Sequence, residues 1–226
     1  MKAIRIHEHG GIEKLRYEEA PEPKLMAPTD VIVKLKATAV NHSDLCVRRG
    51  IRNKEVQLPH ILGSDGAGIV TQAGESVGRI REGDAVCFYP AEGCGGCELC
   101  ITDRELLCTR LRVLGEHENG TYAEYVRLPG RNCFPIPPHY SFDEAAAFPS
   151  VYIAAWRMLV TNAELKPGEH VLILGIGGGD ATAALQDAAQ IGAHIIVKSS
   201  SGEKLATAKK LGDKYGIKYR NTDFPM

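Results

Sequence analysis

Four cysteines, Cys94, Cys97, Cys100 and Cys108, fall in the run CGGCELCITDRELLC, separated by two, two and seven residues. That spacing constrains the fold more than any other feature of the chain, because four thiolates brought together so tightly form a tetrahedral site for Zn²⁺. Such a site is closed. It contributes folding free energy and leaves no position for a water or a substrate, so a structural zinc lobe is expected over about residues 92–110. The competing reading is two disulfides, for which four cysteines permit three pairings. The amino terminus argues against it: MKAIRIHEHGG turns charged and Gly-rich before any apolar stretch of a secretory signal could form. A reducing, cytoplasmic setting is therefore expected, where thiolate ligands prevail over disulfides. Cys46, Cys87 and Cys133 stand in apolar or strand-like stretches and are expected to be small buried hydrophobes.

The rest of the chain must supply the core. With 226 residues, 44% of them hydrophobic and 24% charged, it suffices for one large or two small domains. A formal net charge of −1 gives no basic field, so nucleic acid is not an expected partner. No window reaches membrane-spanning length, so no membrane is expected either.

Up to about residue 140 the pattern is short and β-like. The segments KAIRI, LRYEE, VIVKLKATAV, GAGIVTQAG, DAVCFY, YAEYVRL and CFPIP are divided by Gly-, Pro- and Asp-rich turns. This predicts a β-rich barrel or sandwich over 1–140. From 141 helices take over. Ser141 with Glu144 three residues on is a capping box opening SFDEAAAFPSVYIAAWRMLV. After LKPGE the run HVLILG is continuously apolar, as in a strand covered on both faces. A helix over about 180–191, the strand HIIVK, a helix EKLATAKKLGDKYG and a strand IKYR complete β-α-β-α-β. The class is α/β with a β-rich domain, the 141–226 part being half of a doubly wound nucleotide-binding sheet.

The turn after HVLILG carries Gly175, Gly177, Gly178 and Gly179, where missing Cβ atoms let backbone approach a pyrophosphate at a helix N-terminus. A plain structural Gly turn is the alternative. No acid stands at the end of the next strand to hold a ribose 2′-hydroxyl. Ser199, Ser200 and Lys204, with Lys198, could instead hold a 2′-phosphate, so NADP(H) is favoured over NAD(H); a Ser-rich helix cap is the bland alternative.

Together VIVKLKATAVNHSDLCVRRG, LPHILGSDGAGIV, the cysteine lobe, EAAAFPSVYIAAWRML and VLILGIGGGDATAALQ resemble the medium-chain dehydrogenase/reductase superfamily, its zinc-type alcohol dehydrogenase and quinone oxidoreductase group. The resemblance covers essentially the whole chain. It implies a GroES-like catalytic domain and a Rossmann cofactor domain, with hydride passing between a nicotinamide and a substrate in the cleft between them.

Members with a catalytic zinc hold it with a Cys, then a His, then a later Cys or Asp. Here Asn41 and Ser64 occupy the first two places, and the stretch 148–151 offers neither Cys nor Asp. No catalytic zinc is expected, since His42 and Asp65 alone would make a poor site. The resemblance then points to reduction of a small-molecule carbonyl, a quinone or enone, with Asn41, Ser43 and Asp44 as cleft wall and His42 as proton donor or ribose contact. A His42 satisfied at a strand end is the alternative.

Two departures count against full activity. Asp180 stands at the pyrophosphate helix, and Asp187 falls on the stripe of Asp180, Ala184 and Ile191 expected to face the sheet. The chain also ends after the third strand, where the family continues, so the Rossmann domain is expected to be incomplete and HVLILG an apolar edge open to a second copy. A non-catalytic zinc-stabilised protein with a vestigial cofactor site, and a zinc-dependent alcohol dehydrogenase, are the alternatives to a reductase.

Overall fold

The computed structural model describes residues 1–51, 56–212 and 215–219, and the chain divides into two compact units, Met1–Ser150 and Val151–Met226. In the first unit, β1 (Lys2–Ile6), β2 (Arg16–Glu19) and β4 (His60–Ile61) form one antiparallel sheet ordered β2-β1-β4. The main sheet has five strands, ordered β10-β6-β5-β3-β9, from β3 (Asp30–Ala39), β5 (Asp65–Ala73), β6 (Ala85–Phe88), β9 (Tyr125–Pro129) and β10 (Cys133–Pro135). A short ribbon joins β7 (Ala91–Glu92) to β8 (Arg112–Val113).

Burial follows spelling. The apolar opening of β3 is buried on both faces, and its later half alternates. Val31, Val33, Val70, Val86, Phe88 and Leu128 fill the main core, suited by β-branching to a pleated surface. Where β3 bulges between Leu35 and Ala37, Gly68 of β5 lies opposite. A Cβ on Gly68 would stand 2.1 Å from the Lys34 carbonyl oxygen, so only glycine permits that approach.

Three helices complete this unit or lead out of it. α1 (His42–Arg48) follows β3, and α2 (Glu98–Ile101) lies in the cysteine lobe. α3 (Phe142–Ala147) begins at the expected capping box: the Ser141 hydroxyl accepts the Glu144 N–H at 3.2 Å, and the Glu144 carboxylate accepts the Ser141 N–H at 2.9 Å. The single helical run expected from Ser141 is in fact divided. Pro149, which has no amide proton to continue the ladder, opens α4 (Pro149–Trp156), and a π-helical turn over Arg157–Asn162 follows.

In the second unit β11 (His170–Leu174), β12 (His194–Ser199) and β13 (Tyr215–Lys218) run parallel in that order, linked by α5 (Gly179–Ile191) and α6 (Gly202–Lys210). This is the expected incomplete doubly wound sheet. The last helix is shorter than its spelling suggests. Gly212, at φ 116°, ends it, and Tyr215 and Gly216, expected in the helix, belong to β13. Arg220, expected as strand, lies outside the described residues.

α5 is turned relative to the stripe expected of it. Ala183, Ala184, Leu185 and Ala188 are buried and Asp180 is exposed, while Asp187 is half-buried with Oδ2 unpartnered. Burial pushes the Asp187 carboxyl up. Five of the eleven residues buried in this core are alanines, whereas the main core of the first unit has none. Among the described residues β11 lies at the edge of this sheet, and Leu172 and Leu174 are exposed, so the strand is not covered on both faces as its apolar run predicts.

Candidate functional site

The cysteine lobe follows β7. Cys94 and Cys97 precede α2, Cys100 lies within it, and a 3-10 turn over Glu105–Leu107 delivers Cys108. Sulfur–sulfur distances are 3.5 Å (Cys97–Cys100), 3.7 Å (Cys97–Cys108) and 3.9 Å (Cys94–Cys100), and all four sulfurs lie within 4.8 Å of one another. A disulfide needs about 2.05 Å. Sulfurs tetrahedral at about 2.3 Å from zinc stand about 3.8 Å apart, so the four fit that ion. Gly93 leaves the room: a Cβ there would come within 2.8 Å of Cys100 Sγ.

Backbone amides point at the sulfurs. The N–H groups of Cys94 and Arg110 donate to Cys108 Sγ at 3.5 and 3.3 Å. The Gly96 amide draws the Cys94 thiol down to about 6, while desolvation pushes Cys100 up to about 12. Among the described residues this is the one group of three or more His, Cys, Asp or Glu side chains placed to hold a metal. Of the remaining cysteines, Cys133 is buried and Cys46 and Cys87 are half-buried.

A second assembly in the same unit is polar and was only partly visible in the sequence. Asn41 precedes α1, and the Asp44 carboxylate reaches back to accept its N–H at 2.8 Å. Asn41 Nδ2 donates to Asp65 Oδ2 at 2.9 Å and to Ser64 Oγ at 3.2 Å. The Ser150 hydroxyl donates to Asp65 Oδ1 at 2.7 Å. Burial pushes the Asp65 carboxyl up, against the lowering pull of Asn41 and Ser150. Asp44 is likewise raised by burial, opposed by the Asn41 amide and by the Tyr122 hydroxyl, which donates at 2.8 Å.

Of the three residues expected in a cleft wall and His42 expected as proton donor or ribose contact, the fold joins Asn41 and Asp44 to this cluster. Ser43 is half-buried and His42 is exposed. His42 is the first residue of α1, not a strand end. Asp65 and Ser150 are brought in by contacts 24 and 85 residues apart in sequence. Thr38, Asp44, Leu45 and Tyr122 line an open, largely apolar cavity of about 590 Å³ beside α1.

In the second unit the turn after β11 is built as a cradle. Gly175 and Gly177 have φ of 70° and 98°, the left-handed region that favours glycine. The Gly175 and Ile176 N–H groups bond to the Lys198 carbonyl at 3.2 and 3.3 Å. α5 starts after Gly178 with no side chain capping its amides. A pyrophosphate fits free N–H groups at such a helix end.

The side chain of Lys204 lies over this turn, since a Cβ on Gly177 would meet its Cδ at 2.5 Å. At the end of β12, Ser199 is buried and its hydroxyl accepts the Ser201 N–H at 3.2 Å, while Ser200 is half-buried. The Lys198 ammonium stands 5.0 Å above the Tyr219 ring.

Comparison with known proteins bears on both units. The model of the alcohol dehydrogenase GroES-like domain matches residues 27–138. A zinc-type alcohol dehydrogenase-like protein of Schizosaccharomyces pombe is 38% identical over 221 residues, covering 96% of this chain and 62% of that protein. The crystal structure of an NAD-dependent alcohol dehydrogenase matches with a TM-score of 0.96 at 42% identity, over 100% of this chain and 65% of that one. A quinone oxidoreductase of Pseudomonas syringae pv. Tomato matches with a TM-score of 0.78 at 31% identity, over 98% of this chain and 60% of that one. The chain thus spans less than two thirds of the length of each of these relatives.

Proposed function

The chain belongs to the medium-chain dehydrogenase/reductase superfamily, the group of zinc-type alcohol dehydrogenases and quinone oxidoreductases, and on that premise we propose that it serves NADPH-dependent reduction of a quinone or conjugated carbonyl without a catalytic zinc. The observation that carries this reading is the cluster of Asn41, Ser64, Asp65 and Ser150, whose donors and acceptors are spent on one another. It contains no thiolate or imidazole, the ligands zinc prefers. Cys94, Cys97, Cys100 and Cys108 hold a structural Zn²⁺.

The bound nicotinamide cofactor supplies the hydride. Gly175, Gly177, Gly178 and Gly179 receive its pyrophosphate, and Lys204 with Ser199 and Ser200 favours a 2′-phosphate. Hydride addition to a conjugated carbonyl builds negative charge on oxygen, which hydroxyl and amide donors stabilise when already oriented. Ser43 is the candidate hydroxyl donor there. Asp65 fixes the Asn41 amide, Asp44 fixes the start of α1, and His42 supplies the proton or a ribose contact. A reducing cytoplasm suits the thiolate lobe.

The test is to titrate NADPH and NADH against emission of Trp156, the only tryptophan, then assay turnover of quinones, enones and alcohols with the zinc-loaded protein. Saturable quenching by NADPH and turnover of quinones or enones support the proposal; neither binding nor turnover sinks it. The unpartnered Oδ2 of Asp187 favours a second reading, a zinc-stabilised binding protein with a vestigial cofactor site. It requires no NADPH quenching. A zinc-dependent alcohol dehydrogenase would carry two zinc ions per chain.

A further inference from the structure

Four thiolates around Zn²⁺ leave an excess of two negative charges, which a site must offset with donors and cations in its surroundings. Backbone amides meet Cys94 and Cys108 here, but amides carry no net charge. One cationic side chain among the described residues bonds a sulfur: Arg110 Nη2 donates to Cys94 Sγ at 3.1 Å. The same residue's N–H donates to Cys108 Sγ at 3.3 Å, so Arg110 touches two of the four ligands from one position.

The neighbouring arginines are engaged elsewhere. Arg104 donates to Thr102 Oγ1 at 3.3 Å and pairs with Glu98 at 3.9 Å. Arg131 donates to the Gly93 carbonyl at 3.2 Å and pairs with Glu105 at 3.6 Å.

We propose that Arg110 is the outer-sphere partner of the metal lobe, its guanidinium holding the Cys94 thiolate in place and screening it from electrophiles, so that it sets how tightly the ion is held. The proposal rests on the cysteines holding zinc. Arg110 reaches the metal only through a ligand, which makes it a positioning residue.

The experiment uses the full chain loaded with zinc. Zinc affinity is measured by competition with a chromophoric chelator, and the order of cysteine alkylation by iodoacetamide is mapped by mass spectrometry. Arg110→Met is expected to weaken zinc binding by about ten- to a hundredfold, the range for lost outer-sphere partners, and to make Cys94 the first cysteine alkylated. Arg110→Lys should restore part of the affinity. Arg104→Met removes the same charge from the lobe without touching a sulfur and should bind zinc like the unaltered chain. Equal loss in Arg110→Met and Arg104→Met would reduce the effect to general charge and overturn the proposal, as would no loss in Arg110→Met. An unaltered chain that takes up no zinc overturns both the proposal and the zinc reading beneath it, whatever its NADPH binding.

Discussion

Removing the Ser150 hydroxyl tests whether the polar cluster is one interacting unit. Asp65 is 1% exposed, and its two oxygens receive Ser150 Oγ–H at 2.7 Å and Asn41 Nδ2–H at 2.9 Å. Ser150→Ala takes away one hydrogen bond to a charged acceptor, worth about 1.5–3 kcal/mol, and leaves the buried carboxylate with only Asn41 and the Ser150 backbone amide as donors. Asp65→Asn removes the charge but keeps the shape, with its carbonyl oxygen still able to accept one donor, and should cost about 1–2 kcal/mol. The double variant no longer has a charged acceptor to leave short of a donor. Its cost should therefore fall short of the sum by about 1 kcal/mol or more.

The pH dependence has a definite sign. Burial raises the Asp65 carboxyl, so between its unfolded value, about 3.9, and its folded value the folded chain holds a proton that the unfolded chain has released. Stability from this group is therefore greatest below that window and falls as pH rises through it. Asp65→Asn should flatten that fall, leaving the same-signed contribution of Asp44. Exposed Glu8, Glu19 and Glu144 and half-buried Glu18, lowered by their partners, act in the opposite sense.

The assay is urea unfolding read by hydrogen exchange in peptides covering β3 and β5. Trp156 lies in the other unit and would not report it. Costs that add to within about 0.3–0.5 kcal/mol would refute the argument that Ser150 acts through a buried charge.

Gly68→Ala places a methyl against the Lys34 carbonyl; it should destabilise the first unit by about 1–3 kcal/mol, seen as a lower urea midpoint with unchanged slope. Lys204→Ala should weaken NADPH binding about tenfold with little effect on NADH, read from Trp156 quenching; equal loss for both would move Lys204 from the 2′-phosphate to the pyrophosphate. The triple variant Asn41→Cys, Ser64→His, Ser150→Cys gathers three good ligands around Asp65, which bonds both Asn41 and Ser150, while Ser64 bonds Asn41. Metal analysis should find one more zinc ion per chain than in the unaltered protein, and an unchanged count would refute the convergence.

Local patterns were legible. The alternation in KAIRI, the apolar run HVLILG and the Ser141–Glu144 box each state their element within a few residues, and the structure reproduces them. The cysteine spacing is equally local, since a short loop can close on an ion. Features set by distant partners were not. α1 is spelled by Asn41 and Asp44 three residues apart, an acidic variant of the capping box obscured by the resemblance of that segment to a catalytic one. In the sequence Asp65 reads only as a metal ligand, because the Ser150 hydroxyl that engages it is supplied by packing of a segment 85 residues away. The final helix stops short of its helical spelling because Gly212 follows its basic last turn, and a glycine there is a stop signal.

The alanine-rich core of the second unit has a consequence for handling. A buried alanine withdraws far less apolar area than the valines, leucines and phenylalanine of the main sheet, so each residue ordered there gains less against its lost entropy. That unit should open first and most often. A protease added in trace amounts would therefore trim the chain from its carboxyl end and leave a durable amino-terminal fragment of about the first 150 residues. A ligand at the Gly175–Gly179 turn would protect the chain by mass action, turning digestion time into a reporter of occupancy.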